Sequence, residues 1–351
     1  MPETMAGQIL PQTVVNEGRW LRRRTNLTAL AVRRILRERG GLAGLDTAIM
    51  PVSLTVEEFQ RQAAERSASH TPAIMASMGL DLPDADYIAA TDEFAGVLGD
   101  GTSVIEGVSG VFTSARTVAQ TSVVGSELYR QYLETNLLRL ARTAVADTYR
   151  AVQQVTAHGI YPRVGYIRAL TPPSCGRCVL LAGQRSGERP FERHPNCDCI
   201  AVPVPLDKNE EIILDDTEMA VADPKTYLDS LSDHDLARTL GSKANAQAYK
   251  DGADYIQIVN AYRRKGYVRA ASDGSKYTLL NGYLSREQMV KAGMGYYDAR
   301  NKPRANVPRL MPETIYKNAS SPEEAKRLLY DYGWIRPVWD PTTNTFGRPQ
   351  L

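Results

Sequence analysis

No stretch of eighteen or more apolar residues occurs anywhere in the 351-residue chain, which leaves no candidate transmembrane helix. Met1 to Leu10 has no basic segment followed by an apolar one, so a secretory signal is not expected. Net charge is only +2, so bulk charge does not by itself call for a nucleic-acid partner. Walker A and dinucleotide glycine fingerprints are absent, as are G-x-S-x-G, H-E-x-x-H and the H-x-E…P-C-x-x-C signature of zinc deaminases. There is no repeat of fixed period and no long low-complexity tract.

Histidine is scarce: His70, His158, His194 and His234 are the whole supply. A serine protease needs a histidine base within hydrogen-bond reach of its nucleophile, oriented by a third group. His194 is claimed by the cysteine cluster described below, His158 sits at an expected helix end, and His234 lies in an expected first turn. Only His70, in Ser67-Ala-Ser-His70, has serines beside it, and sequence neighbours are rarely catalytic pairs.

Cysteine is also scarce, but all four lie between 175 and 199. The pattern is Cys175-x2-Cys178-x15-His194-x2-Cys197-x-Cys199. C-x2-C is a common zinc half-site, because a tight turn points both thiolates at one centre. Tetrahedral zinc takes four ligands and five candidates are present, Cys175, Cys178, His194, Cys197 and Cys199. Steric reasoning favours Cys175, Cys178 and Cys199, completed by either His194 or Cys197. The competing reading is a pair of disulfides or buried thiols. A closed four-ligand site would be structural, whereas a catalytic one would keep an open position and a nearby base, for which Glu188 and Glu192 are the neighbours in sequence.

The apolar fraction of 43% and charged fraction of 23% are ordinary for a globular protein. The pattern predicts an α+β protein, predominantly helical, with a small strand-containing Cys/His knuckle domain. Four regions are expected: an N-terminal helical region over 1–124, a knuckle-bearing domain over 125–206, an acidic linker over 207–223 and a C-terminal helical region over 224–351. Val14 to Arg39 reads as a basic amphipathic helix with Leu27, Leu30, Ala31 and Ile35 at helical spacing. Its Arg22, Arg23, Arg24, Arg33, Arg34 and Arg37 are candidates for contact with DNA or an acidic partner, against the plainer reading of a solvated face. A helix start at Thr55-x-x-Glu58 and short broken helices over 71–101 are expected. The strongest periodicity begins near Gly125, with Tyr129, Leu133, Leu137, Ala141, Val145 and Val152 on one stripe, Arg150 mostly off it, and a stop at His158-Gly159. Arg163 to Arg168 and Ile200 to Val204 read as strands, the second an edge strand because of Pro203. Ser232, Ser285 and Ser321 read as helix starts and Gly333 as a stop, with a basic, aromatic stretch over 263–277.

These elements resemble the phage Mu F-type minor head proteins. The likeness runs through Arg142-Thr143, Gly165-Tyr166-Ile167, Cys175-Gly-Arg-Cys178, Gly183 and His194-Pro195-Asn196-Cys197-Asp198-Cys199. Pro172-Pro173-Ser174 replaces the acidic residue and Thr that often precede the first Cys, a variant similar to that of phages of actinobacteria. The segment Arg309 to Tyr316 and the stretch to Tyr332-Gly-Trp-Ile335 resemble the same group, so the likeness covers about 130–335. The resemblance implies a structural minor capsid protein in the head interior near the portal, made in the host cytoplasm and present in several copies per virion. Portal protein, major capsid protein or packaged DNA would be its partners, with no membrane involved. Similar reading frames are also labelled capsid maturation protease, which stands as the alternative; a zinc-knuckle DNA-binding protein is a second. The toxin-like ADP-ribosyltransferase tail sometimes fused to such domains is not expected, since no Arg…Ser-Thr-Ser…Glu-x-Glu arrangement occurs.

Overall fold

The computed structural model describes residues 3–5, 8–39, 45–120, 125–171, 174–182, 185–188, 197, 199–209, 224–261, 295–297, 303–305, 310–336, 338–340 and 345–347. His194, Ser285, the stretch 263–277 and most of the acidic stretch 207–223 lie outside them. The chain divides into two compact units, Met1–Ser174 with Leu181–Tyr227, and Cys175–Leu180 with Leu228–Leu351. The protein is predominantly helical with small antiparallel sheets, as the α+β expectation has it.

The first unit is built on α1 (Gln12–Glu38), α2 (Ile49–Ser77), α3 (Val104–Gln120) and α4 (Gly125–Ile160), preceded by a two-stranded ribbon of β1 (Glu3–Met5) and β2 (Gln8–Leu10). One large core joins Val32 and Leu36 of α1, Val52 and Val56 of α2, Val108 and Phe112 of α3, and Leu133, Leu137 and Ala141 of α4. Gln60 of α2 is fully buried and fully bonded: its Nε2 donates to the Val97 carbonyl at 2.8 Å and to Thr148 Oγ1 at 2.9 Å, and its Oε1 accepts from Gly96 N at 2.9 Å. That one amide ties α2, α4 and the turn before α3 together, so its polar atoms are buried without being orphaned.

Three expectations are corrected here. The buried face of α1 runs through Gly18, Leu21, Thr25, Thr28, Val32 and Leu36, while Leu27 is exposed and Leu30 is 56% exposed. Small and polar residues form much of the inner face, so a search for apolar spacing alone picks the wrong phase. Thr55 does not start a helix: α2 begins at Ile49, and Thr55 Oγ1 donates back to the Pro51 carbonyl at 2.7 Å inside it. α4 does not stop at Gly159 but continues through it to Ile160. Gly159 is needed for close approach instead, since a Cβ there would stand 2.5 Å from the Tyr87 carbonyl oxygen.

After α4 the chain turns back as β3 (Val164–Ala169), which pairs antiparallel with β5 (Ile200–Pro205) and with the two-residue β4 (Arg185–Ser186), in the order β4-β3-β5. β5 is an edge strand, which suits the missing N–H of Pro203. Both faces of this small sheet are covered: Ile167, Ala169, Ile200, Val202 and Val204 pack on Val14, Val15, Ile74 and Met78, while Val164, Tyr166 and Ala201 pack on Met75, Ala157 and Ile160.

The second unit contains α5 (Gly176–Leu180), α7 (Asp233–Leu240), α8 (Lys243–Lys250), α9 (Tyr255–Val259), α10 (Pro312–Asn318) and α11 (Pro322–Asp331); α6 (Pro224–Asp229) spans the division. Ser232, Ser242 and Ser321 cap α7, α8 and α11, their hydroxyls accepting from Asp235, Asn245 and Glu324 N–H groups. Trp334 is fully buried and donates Nε1–H to the Leu310 carbonyl at 2.8 Å. Two short ribbons, β6 (Gly295–Tyr297) with β7 (Pro303–Ala305) and β8 (Val338–Asp340) with β9 (Thr345–Gly347), complete it.

Candidate metal centre

The last pair of the β3–β5 ladder is Ala169 opposite Ile200. The cysteine segment therefore leaves and re-enters the sheet at one end, and Cys199 is fixed one residue before β5. Arg150, expected to point away from the buried stripe of α4, is 2% exposed. Its Nη2 donates to the Cys197 carbonyl at 2.6 Å and to the Cys199 carbonyl at 2.7 Å, while Nη1 stands 3.5 Å from Asp147 Oδ1.

At the other half-site, Cys175 is half-buried and precedes the single turn of α5. Its Sγ accepts the Cys178 N–H at 3.4 Å, and its carbonyl accepts the Val179 N–H at 3.0 Å. Gly176 between them answers to crowding, since a Cβ there would stand 2.6 Å from Val259 Cγ2 and 3.0 Å from the Thr239 carbonyl oxygen. Just upstream, the Thr171 carbonyl accepts from Arg22 Nη2 and from Ser174 Oγ, and the Ser174 N–H donates to the Tyr227 hydroxyl at 3.0 Å. Burial raises the Tyr227 phenol above its ordinary value; the Ser174 hydrogen bond and the Arg22 charge oppose the rise, and the nearby Cys199 adds to it.

Among the described residues, one group of potential metal ligands is drawn together: the sulfurs of Cys178, Cys197 and Cys199, all buried, lie within 4.8 Å of one another. Ligands about 2.3 Å from a tetrahedral centre stand roughly 3.8 Å apart, so three thiolates in this cluster are close enough to share one ion. Soft sulfur donors suit zinc-like ions rather than the oxygen-seeking magnesium or calcium. The group differs from the steric expectation, which favoured Cys175 and left Cys197 optional.

No family model, curated protein or solved structure matches this chain.

The arginine candidates of α1 divide into two sets. Arg22 is engaged with the Thr171 carbonyl, Arg24 donates to Gln62 Oε1 at 2.7 Å and lies over the Trp20 and Phe59 rings, and Arg33 pairs with Glu134 at 2.7 Å. Arg23, Arg34 and Arg37 point to solvent, Arg34 pairing with Glu38 at 2.6 Å one turn on. Arg19 and Arg23, with Asn26 and Leu27, line a groove that Arg22 and Thr171 close.

The serine beside His70 does contact it, with Ser69 Oγ 3.0 Å from Nδ1. That nitrogen also stands 3.2 Å from the Arg66 carbonyl, which can only accept, so the tautomer that satisfies the carbonyl leaves no lone pair to activate Ser69. Glu17, 3.9 Å from Nε2, is engaged by Arg66 and Tyr149. A helix-interior pair of this kind is not a base poised on a nucleophile. No helix among the described residues is long and apolar enough to cross a membrane.

Proposed function

We propose that this chain is a structural minor capsid protein of a tailed-phage head, its cysteine knuckle closed by a structural zinc ion. The observation that carries the metal is the trio of buried sulfurs of Cys178, Cys197 and Cys199 within 4.8 Å of one another. A buried, thiolate-rich site is the kind zinc uses to hold a fold together. His194 or Cys175 supplies the fourth ligand. The capsid role is supported by the motif resemblance over about 130–335. In that reading the protein acts in head assembly and in DNA packaging or delivery beside the portal. It contacts portal or major capsid protein, in several copies within the head.

Metal analysis and thiol titration of the purified full chain test the site. About one zinc per chain is expected, lost together with cooperative folding in Cys178→Ser and Cys199→Ser. Metal-free protein with its thiols oxidised would replace the zinc with disulfides. The capsid role is tested separately, by mass spectrometry of purified particles and cross-linking to the portal; absence from particles overturns it.

A second reading, direct contact with packaged DNA, is favoured by the exposed Arg19, Arg23, Arg34 and Arg37 of α1, opposed on that face by Glu38. Phosphate contacts of this kind position a protein on DNA without reading sequence.

A further inference from the structure

A guanidinium taken out of water is expensive unless something answers its charge and its N–H groups. Arg150 lies inside α4, the longest helix among the described residues, and is 2% exposed. One nitrogen, Nη2, spans the carbonyls of Cys197 and Cys199 and so fixes the backbone on both sides of residue 198. Its ion-pair partner among the described residues is Asp147, one turn earlier on the same helix and at the long distance of 3.5 Å. Nε has no hydrogen-bond partner among the described residues. The side chain therefore joins a rigid helix to the short segment that carries two of the three clustered sulfurs.

The charge balance points the same way. A dication held by the thiolates of Cys178, Cys197 and Cys199 carries +2 − 3 = −1 before any fourth ligand is counted. A buried guanidinium bonded to the backbone of two of those ligands is the counter-charge that such a centre needs. Groups of this type, which hold and orient the ligands rather than touch the metal, commonly set affinity as strongly as the choice of ligand.

We propose that Arg150 is the positioning residue of the metal centre. It holds Cys197 and Cys199 in their ligating positions and balances the negative charge of the filled site. The inference rests on the metal reading above.

The test uses the full chain and zinc alone, with affinity measured by competition against a chromophoric chelator. Arg150→Met keeps length and removes charge and donors; zinc affinity is expected to fall about 10- to 100-fold. Arg150→Lys keeps the charge but loses the planar fork, and an intermediate loss is expected. The sulfur-to-metal charge-transfer band of the cobalt-substituted protein should shift in both variants, a signature that general loss of stability does not produce. Apo-protein melting is measured alongside. If Arg150→Met lowers apo and holo stability equally while affinity and cobalt spectrum stay as in the wild type, the residue is merely structural and the proposal is overturned. Should Arg150→Met fail to fold, wild-type affinity and spectrum in Arg150→Lys overturn it equally. Wild-type protein that takes up no zinc overturns the metal reading and this inference with it; zinc bound normally by the wild type and by Arg150→Met overturns this inference alone.

Discussion

Glu17 is 1% exposed, and its carboxylate is met by the Arg66 guanidinium and by the Tyr149 hydroxyl, which donates to Oε2 at 3.2 Å. A buried carboxylate is tolerated because both a charge and a donor answer it. Tyr149→Phe removes the donor and leaves the charge pair, so a loss of about 1.5 kcal/mol is expected in chemical denaturation, the low end for hydrogen bonds to charged groups. Burial first, then the neighbouring carboxylate, raises the Tyr149 phenol well above its ordinary value. A raised folded value means that the contribution is complete below the unfolded phenol pKa of about 10 and is lost as pH rises beyond it. Wild-type stability should therefore fall above that pH more steeply than that of Tyr149→Phe. Parallel alkaline curves would show that Tyr149 keeps no such constraint. The cysteine cluster was readable at this scale, because Cys178, Cys197 and Cys199 announce themselves by spacing. Arg150 was not: long charged side chains on a helix are usually solvated, and only the return of the chain as β3 and β5 brings two carbonyls to it.

Among elements, those with a local signal were the ones legible in advance. α4 carries a long apolar stripe, β3 and β5 have the composition of strands, and Ser232 and Ser321 carry the side-chain chemistry that starts α7 and α11. α1 was legible as a helix but not in its phase, because Gly18, Thr25 and Thr28 are buried on its inner face and carry no apolar signal. α2 hid its start: no hydroxyl caps it, and Pro72, which would ordinarily mark an end, sits inside it. The cap at Ser321 is a direct test of the local reading. Its Oγ accepts from Glu324 N at 3.1 Å, and Glu324 Oε2 accepts from Ser320 N at 2.8 Å. Ser321→Ala should cost about 1 kcal/mol and raise amide exchange through the first turn of α11. Gly159→Ala tests the opposite case. Helix propensity alone would favour Ala, but the Tyr87 carbonyl leaves no room for a Cβ, so a loss of about 1–3 kcal/mol is expected in thermal or chemical unfolding. A gain in stability would mean that the 82–90 segment yields easily.

At the scale of the whole molecule, a net charge of +2 gives no general attraction for a polyanion, so any affinity for DNA has to be local. α1 is where the charge is concentrated, and three of its seven arginines are already committed inside the first unit: Arg22 to a carbonyl, Arg24 to Gln62 and two rings, Arg33 to Glu134. The face left to solvent offers Arg19, Arg23, Arg34 and Arg37, few enough that the contact should be weak, non-specific and strongly dependent on salt. Binding of a random-sequence duplex by the full chain should weaken linearly in log–log form as salt is raised. The slope is close to −0.9 for each phosphate neutralised. Removing one contact, as in Arg23→Ala or Arg37→Ala, should reduce the slope by about 1, whatever the duplex sequence. Arg238→Ala, an exposed arginine on α7, should leave it unchanged. Equal slopes for all three variants would place the DNA contact elsewhere on the chain and return the α1 arginines to an ordinary solvated surface. A slope reduced only in the α1 variants would make this helix the point at which a nearly neutral protein touches the phosphate backbone.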